Sequence, residues 1–194
     1  MRDHGNRAAL RVLAALLVGL TLAPTHARAD ARAGQKKAEL CVLCHRVDHP
    51  EAWVPTLEGQ HREYLVAQLK AYKENRRINP AMQTNTIGLN DRDMRDIADY
   101  FASRKPVRGS FTPDPAKAAR GRELTGKHDC VACHGAGYQG GKEIPRLAGM
   151  EARYVAHQMT LIASGKRAHP ALPALSPLTP DDASGIAHYL ASLD

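Results

Sequence analysis

Two cysteine pairs, each closed by a histidine, constrain this chain more than any other feature. Cys41-Val42-Leu43-Cys44-His45 and Cys130-Val131-Ala132-Cys133-His134 are two copies of C-x-x-C-H, set 89 positions apart in a chain of 194 residues. The pattern is the attachment signature of a c-type haem. Two thiols three positions apart on a helical turn both reach the vinyl groups of one macrocycle and form thioethers. The adjacent imidazole then faces the iron from one side. Cys41, Cys44, Cys130 and Cys133 are therefore read as covalent anchors of two haem c groups, with His45 and His134 as iron ligands. Four cysteines in an exported chain ordinarily suggest two disulfides, but the tight pairing argues otherwise. A thioredoxin-like C-x-x-C needs a βαβ context that is missing here. A four-cysteine zinc site requires no histidine after each pair.

The chain repeats itself around these motifs. Pro55-Thr56-Leu57-Glu58-Gly59 and Tyr64-Leu65-Val66-Ala67-Gln68-Leu69 follow the first motif. Pro145-Arg146-Leu147-Ala148-Gly149 and Tyr154-Val155-Ala156-His157-Gln158-Met159 follow the second. Both halves close on a helix start, at Leu89-Asn90-Asp91-Arg92-Asp93 and at Leu178-Thr179-Pro180-Asp181-Asp182. Thr179 suits an N-cap, Pro180 the first helical position, and Asp182 the positive end of the helix dipole. Met94, Ile97 and Phe101 share one face of the first closing helix, and Ile186, Tyr189 and Leu193 one face of the second. Both stripes are read as core. Pro55 and Pro145 occupy matching places after their histidines. A carbonyl there either accepts from the second imidazole nitrogen, fixing the ring, or belongs to a plain turn.

Aromatic residues make up only 5% of the chain, with two Phe and one Trp. That is too little bulk for two ordinary cores of this size, and a large flat apolar cofactor supplies what is missing. Abundant Ala, Leu, Lys and Arg without long β-branched runs favour helix over strand. The expected fold is all-α: two tandem helical domains, each wrapped around one haem. At the N-terminus, Arg2, Arg7 and Arg11 precede an apolar run from Val12 to Ala23, and Ala27-Arg28-Ala29 reads as a cleavage site. The expected organisation is a cleaved signal peptide over 1–29, a first domain over 30–105, a linker over 106–115 and a second domain over 116–194. The apolar run is short for a membrane span. Setting residues 1–29 aside removes four of 27 basic and one of 20 acidic side chains and leaves a formal charge of +4. The excess is scattered, so nucleic acid is not an expected partner; an acidic protein face is.

With these features in place, the sequence resembles the di-haem cytochrome c4 family, two-domain members of the class I cytochromes c. The likeness runs over nearly the whole chain after residue 29 and rests on the P-x-L-x-G loops, the Y-x-x-x-Q-[LM] helices, Asp114-Pro115-Ala116 and Gly121. It implies two packed cytochrome c-like domains and a periplasmic electron carrier rather than an enzyme. Its expected partners are redox proteins such as a terminal oxidase, a reductase or a quinol-oxidising complex, with membrane association only through such a partner. The alternative is a redox enzyme or small-ligand binder working at the second haem. In the family a methionine ahead of the last helix is the sixth iron ligand, which assigns Met82 to the first iron. The second half departs from this pattern: Asn79-Pro80-Ala81-Met82 aligns with His169-Pro170-Ala171-Leu172. Either His169 ligates the second iron, or that iron stays five-coordinate beneath Leu172, or Met150 or Met159 reaches it. His169 is the favoured expectation. His49, His61, His128, His157 and His188 do not cluster and are read as solvated or core residues.

Overall fold

The computed structural model describes residues 31–46 and 53–194. The expected signal peptide, Asp30 and His49 lie outside the described residues. Apart from one isolated bridge between Gly141 and Ile144, all regular structure among the described residues is helical. None of these helices is long and apolar enough to cross a membrane. The first half holds α1 (Ala31–Lys37), α2 (Glu39–Cys44), α3 (Arg62–Lys73), α4 (Pro80–Thr86) and α5 (Asp91–Ala102). The second holds α6 (Pro115–Lys127), α7 (Val131–His134), α8 (Ala152–Ala163), α9 (Leu172–Leu175) and α10 (Pro180–Ala191), with a 3-10 turn at Ala136–Tyr138.

Local chemistry sets these boundaries. Asn90 accepts from the backbone of Arg92 and Asp93, and Asp93 accepts from the Asn90 N–H, a capping box that starts α5. Thr179 and Asp182 repeat the arrangement at α10. Asp114 caps α6 and Pro115 takes its first position, so the proline-rich strap passes directly into a helix.

In each half the first helix crosses the last at backbone contact. A Cβ on Gly34 of α1 would lie 1.9 Å from the Asp96 carbonyl oxygen, and one on Gly121 of α6 would lie 2.0 Å from that of Gly185. Only glycine fits at either crossing. Met94, Ile97 and Phe101 are buried on α5 as expected. On α10 the buried face differs from the expected stripe: Ala183, Ile186, Ala187 and Leu190 are buried, while Tyr189 and Leu193 are half-buried. The alanines and Gly185 let α10 approach α6 closely, and the buried face turns toward that contact. Beside the first crossing, Lys37 bridges Asp96 at 2.6 Å and Asp93 at 2.7 Å. Asp96 is buried, and its counterpart in the second half is Gly185. The hydrogen bond from Lys37, with one from the Asn90 backbone, holds the Asp93 carboxyl below the usual range.

The two halves are tied by polar groups that match in pairs. Arg77 donates to Tyr154 Oη at 3.0 Å and to Gln158 Oε1 at 2.8 Å in the second half. Arg167 donates back to Tyr64 Oη at 3.1 Å in the first, and also to Gln158. Arg77 is buried, bonded to Gln68 and set over the Tyr72 ring at 4.7 Å. A second seam joins Gln60 and Arg146 by two hydrogen bonds of 2.9 Å. Next to it, His61 Nε2 donates to the Gln139 carbonyl at 2.7 Å. The strap is held along its length. Pro106 packs on Gly59, where a Cβ would come within 2.4 Å, the Gly109 N–H donates to the Gly149 carbonyl at 3.0 Å, and Arg108 reaches Asp194 and the Ala191 carbonyl.

Two predictions follow from this packing. Replacing Lys37 by Met removes a 2.6 Å ion pair from the buried Asp96 carboxylate and should cost on the order of 2 kcal/mol in chemical denaturation. Because Asp93 is lowered in the folded state, its contribution is complete above the ordinary carboxylate pKa and is lost as pH falls through the folded value. In Lys37→Met this contribution is absent, so the stability difference between variant and wild type should be largest above the ordinary carboxylate pKa and shrink as pH falls through the folded Asp93 value. Separately, Arg77→Leu combined with Arg167→Leu should split a single calorimetric unfolding transition into two. Retention of one transition at unchanged midpoint would show that the clasp does not couple the halves.

Candidate haem sites

Each motif folds as one helical turn. The His45 N–H donates to the Cys41 carbonyl at 2.9 Å, and the His134 N–H to the Cys130 carbonyl at 3.0 Å. This closure sets both cysteines of a pair and the following histidine around a single turn. All four thiols are free, and exposure follows the repeat: Cys41 and Cys130 are half-buried, Cys44 and Cys133 exposed. Burial pushes the Cys41 and Cys130 thiols up, which keeps them protonated at neutral pH.

The two histidines are oriented by the same device. His45 Nδ1–H donates to the Pro55 carbonyl at 2.8 Å, and His134 Nδ1–H to the Pro145 carbonyl at 3.1 Å. Of the two readings of these prolines, the hydrogen-bonding one is what the fold contains. A proton fixed on Nδ1 leaves the lone pair on Nε2, the tautomer a metal-binding imidazole needs, and a carbonyl partner raises its basicity. His45 is buried. Burial lowers the pKa of His134, partly offset by the Pro145 carbonyl, so the neutral ring is favoured. The P-x-L-x-G glycines seat these loops: Gly59 N–H donates to the Phe101 carbonyl and Gly149 N–H to that of Leu190, both at 2.9 Å. Both glycines adopt positive φ, which suits glycine alone at low cost.

Met82 lies in the first turn of α4, half-buried, its N–H held by Asn79 Oδ1 at 3.0 Å. The segment is a capped helix, because Asn79 and Pro80 are a strong N-cap and first-position pair. In the second half α9 is only four residues long and has no side-chain cap. His169 lies just ahead of it, and its ring is near-parallel to that of His134, with centroids 6.3 Å apart and planes 15° apart. Met150 is buried in the apolar cluster of the second half, and Met159 packs against it. The remaining histidines have other work. His61 donates across the seam, His157 meets Trp53 edge-on at 5.4 Å, and His188 accepts from the Asp114 N–H. His128 closes α6.

The residues present fit a c-type haem in each half. Each site joins free thiols at the attachment spacing to a neutral imidazole whose second nitrogen is already bonded. Among the described residues, the apolar cluster of the first half has Ala38, Leu65, Ile97, Ala98 and Phe101 as its buried members, so these side chains alone make a thin core. Sequence reasoning missed the Arg77 and Arg167 clasp. Its signal was the repeat itself, since each arginine stands nine residues after the glutamine of its Y-x-x-x-Q helix.

Comparison with known proteins agrees with this geometry. The cytochrome c family model matches twice, over residues 31–105 and 118–194. A cytochrome c4 of Pseudomonas aeruginosa is 37% identical over 169 residues, covering 81% of this chain and 83% of that protein. A thiosulfate dehydrogenase electron acceptor of Thiomonas intermedia is 31% identical over 170 residues, covering 81% and 77%. Among solved structures, reduced recombinant cytochrome c4 from Pseudomonas stutzeri superposes with a TM-score of 0.77 at 31% identity, covering 85% of this chain and 99% of that one. Family model, relatives and fold agree with the duplicated site in one conclusion: the chain belongs to the cytochrome c family, as an all-α, two-domain, di-haem electron carrier of the cytochrome c4 group.

Proposed function

We propose that this protein is an exported, periplasmic carrier that shuttles single electrons between a dehydrogenase or quinol-oxidising complex and a terminal oxidase or reductase, with no substrate chemistry of its own. The observation that carries this reading is the pair of imidazoles, each fixed by Nδ1 to a proline carbonyl in both halves. A ring tied in this way is suited to a fixed ligand, not to a base that must turn or exchange protons. Each haem supplies one-electron exchange between ferrous and ferric iron. Cys41 and Cys44 hold the first haem, with His45 and Met82 as iron ligands; Cys130 and Cys133 hold the second, with His134. The domains are 30–105 and 116–194, joined by 106–115. The basic, lysine- and arginine-rich surface suits an acidic partner face. The relatives named as thiosulfate dehydrogenase electron acceptors favour a dehydrogenase as one electron donor. The arginine-led stretch 1–29 supports export.

Mass spectrometry of the purified holoprotein should find two covalent haems, with Cys41→Ala and Cys130→Ala each losing stable attachment at one site. Two fully attached haems with unchanged spectra in both variants would remove these residues from the sites. In stopped flow, the reduced protein should pass electrons to oxidase-containing membranes at a rate that falls as salt rises. Turnover of thiosulfate or peroxide by the isolated protein at a comparable rate would replace the carrier reading with an enzymatic one.

A further inference from the structure

The geometry points to His169 as the second protein ligand of the iron in the C-terminal domain, so that this haem is held between two imidazoles while the N-terminal one is held by histidine and methionine. The inference rests on the reading of His134 as the first ligand of that iron and deepens it.

The rings of His134 and His169 have centroids 6.3 Å apart and planes within 15° of parallel. A metal bonded at about 2 Å to one nitrogen of each ring places the two centroids about 6 Å apart, once half of each ring is added. The centroid separation does not depend on which way either imidazole is flipped. His134 is already committed through Nδ1 to Pro145, leaving Nε2 as its free donor.

The alternatives on the same side are poor. Leu172, which takes the place of Met82, is half-buried and carries no donor atom. Met150 and Met159 are engaged in the apolar cluster around Leu124, Tyr154 and Ile186. His169 also has an ancestor-like counterpart in the first half. Asn79 occupies the matching position before a proline and uses its side-chain oxygen to accept from the Met82 N–H. His169 uses Nδ1 in a similar way, accepting from the Ala171 N–H at 3.1 Å. A neutral imidazole has one lone pair in the ring plane, so coordination through Nε2 requires the proton on Nδ1. Ligation therefore exchanges the Ala171 contact for the metal bond. The loop carrying the ring is anchored from behind, because Arg167, two residues earlier, is bonded to Gln158 and to Tyr64 of the other half.

Two imidazoles leave no open position on the second iron and lower its potential relative to a histidine–methionine pair. Electrons would then run from the second haem to the first. The test is EPR and optical spectroscopy of the full-length holoprotein, with a redox titration, on wild type, His169→Ala and His169→Met. Wild type should show two low-spin haems, only one with a methionine-to-iron charge-transfer band, and two separated redox waves. His169→Ala should convert one haem to high spin, and added imidazole should restore the low-spin signal. His169→Met should raise the lower potential and add a second methionine band. A wild-type protein with one high-spin haem, or a His169→Ala variant with both haems low-spin and both potentials unchanged, would overturn the assignment. Should His169→Ala fail to accumulate, the wild-type spectra and His169→Met decide alone. A count below two haems in the wild type would instead defeat the underlying reading of the second site.

Discussion

The backbone contact between the first and last helix of each half is the constraint on which the other features hang. With no side chain at Gly34 or Gly121, α1 lies directly on α5 and α6 directly on α10. The chain leaves that crossing within a few residues of the C-x-x-C-H turn, so the thiols and the imidazole inherit their position from it. The far end of the same frame is fixed where the glycines of the P-x-L-x-G loops donate to the last helix at Phe101 and Leu190. Between these points stand the proline carbonyls that orient His45 and His134. The geometry of each of these imidazoles is thus set by two backbone contacts to a single helix.

Duplication has preserved this frame and altered what is mounted on it. At the crossing, the first half places a buried Asp96 against Lys37, while the second has Gly185 and, in the lysine's place, Leu124. One half balances a buried charge and the other dispenses with it. Ahead of the closing helix, the first half builds a seven-residue helix capped by Asn79, while the second stops after four residues behind His169. A frame held by main-chain contacts tolerates such exchanges, since no single side chain carries it. The two halves can therefore drift apart in chemistry while staying alike in shape.

What could be read from the sequence was whatever chemistry acts over short range. The C-x-x-C-H turns, the caps at Asn90 and Thr179, the prolines ten or eleven residues after the histidines and the repeat itself all lie within a few residues of what they control. The buried face of α10 was only partly legible, because Ala183 and Ala187 pack by being small and leave no hydrophobic stripe to notice. The helix at Pro80–Thr86 was hidden by a proline that reads as a loop signal and serves as a first-turn residue. The Arg77 and Arg167 clasp left only a matched spacing in the repeat, each arginine nine residues after a glutamine. It joins side chains 77 to 103 positions apart, and nothing local to an arginine says that its partner is a tyrosine in the other domain. The histidine proposed as sixth ligand of the second haem lies between these cases. Sequence alone reduced it to a short set of candidates, and only a distance between two rings could rank them.

The strap between the halves has a further consequence. Pro106 is seated on Gly59, Gly109 is bonded to Gly149 and Arg108 is bound at the C-terminus, so almost none of its length is slack. A tether with slack lets two modules reorient and raises only their local concentration. A tether without it removes a degree of freedom. The two iron sites then diffuse, collide and dock as one rigid object, and a partner that recognises one domain finds the other always at the same distance and angle.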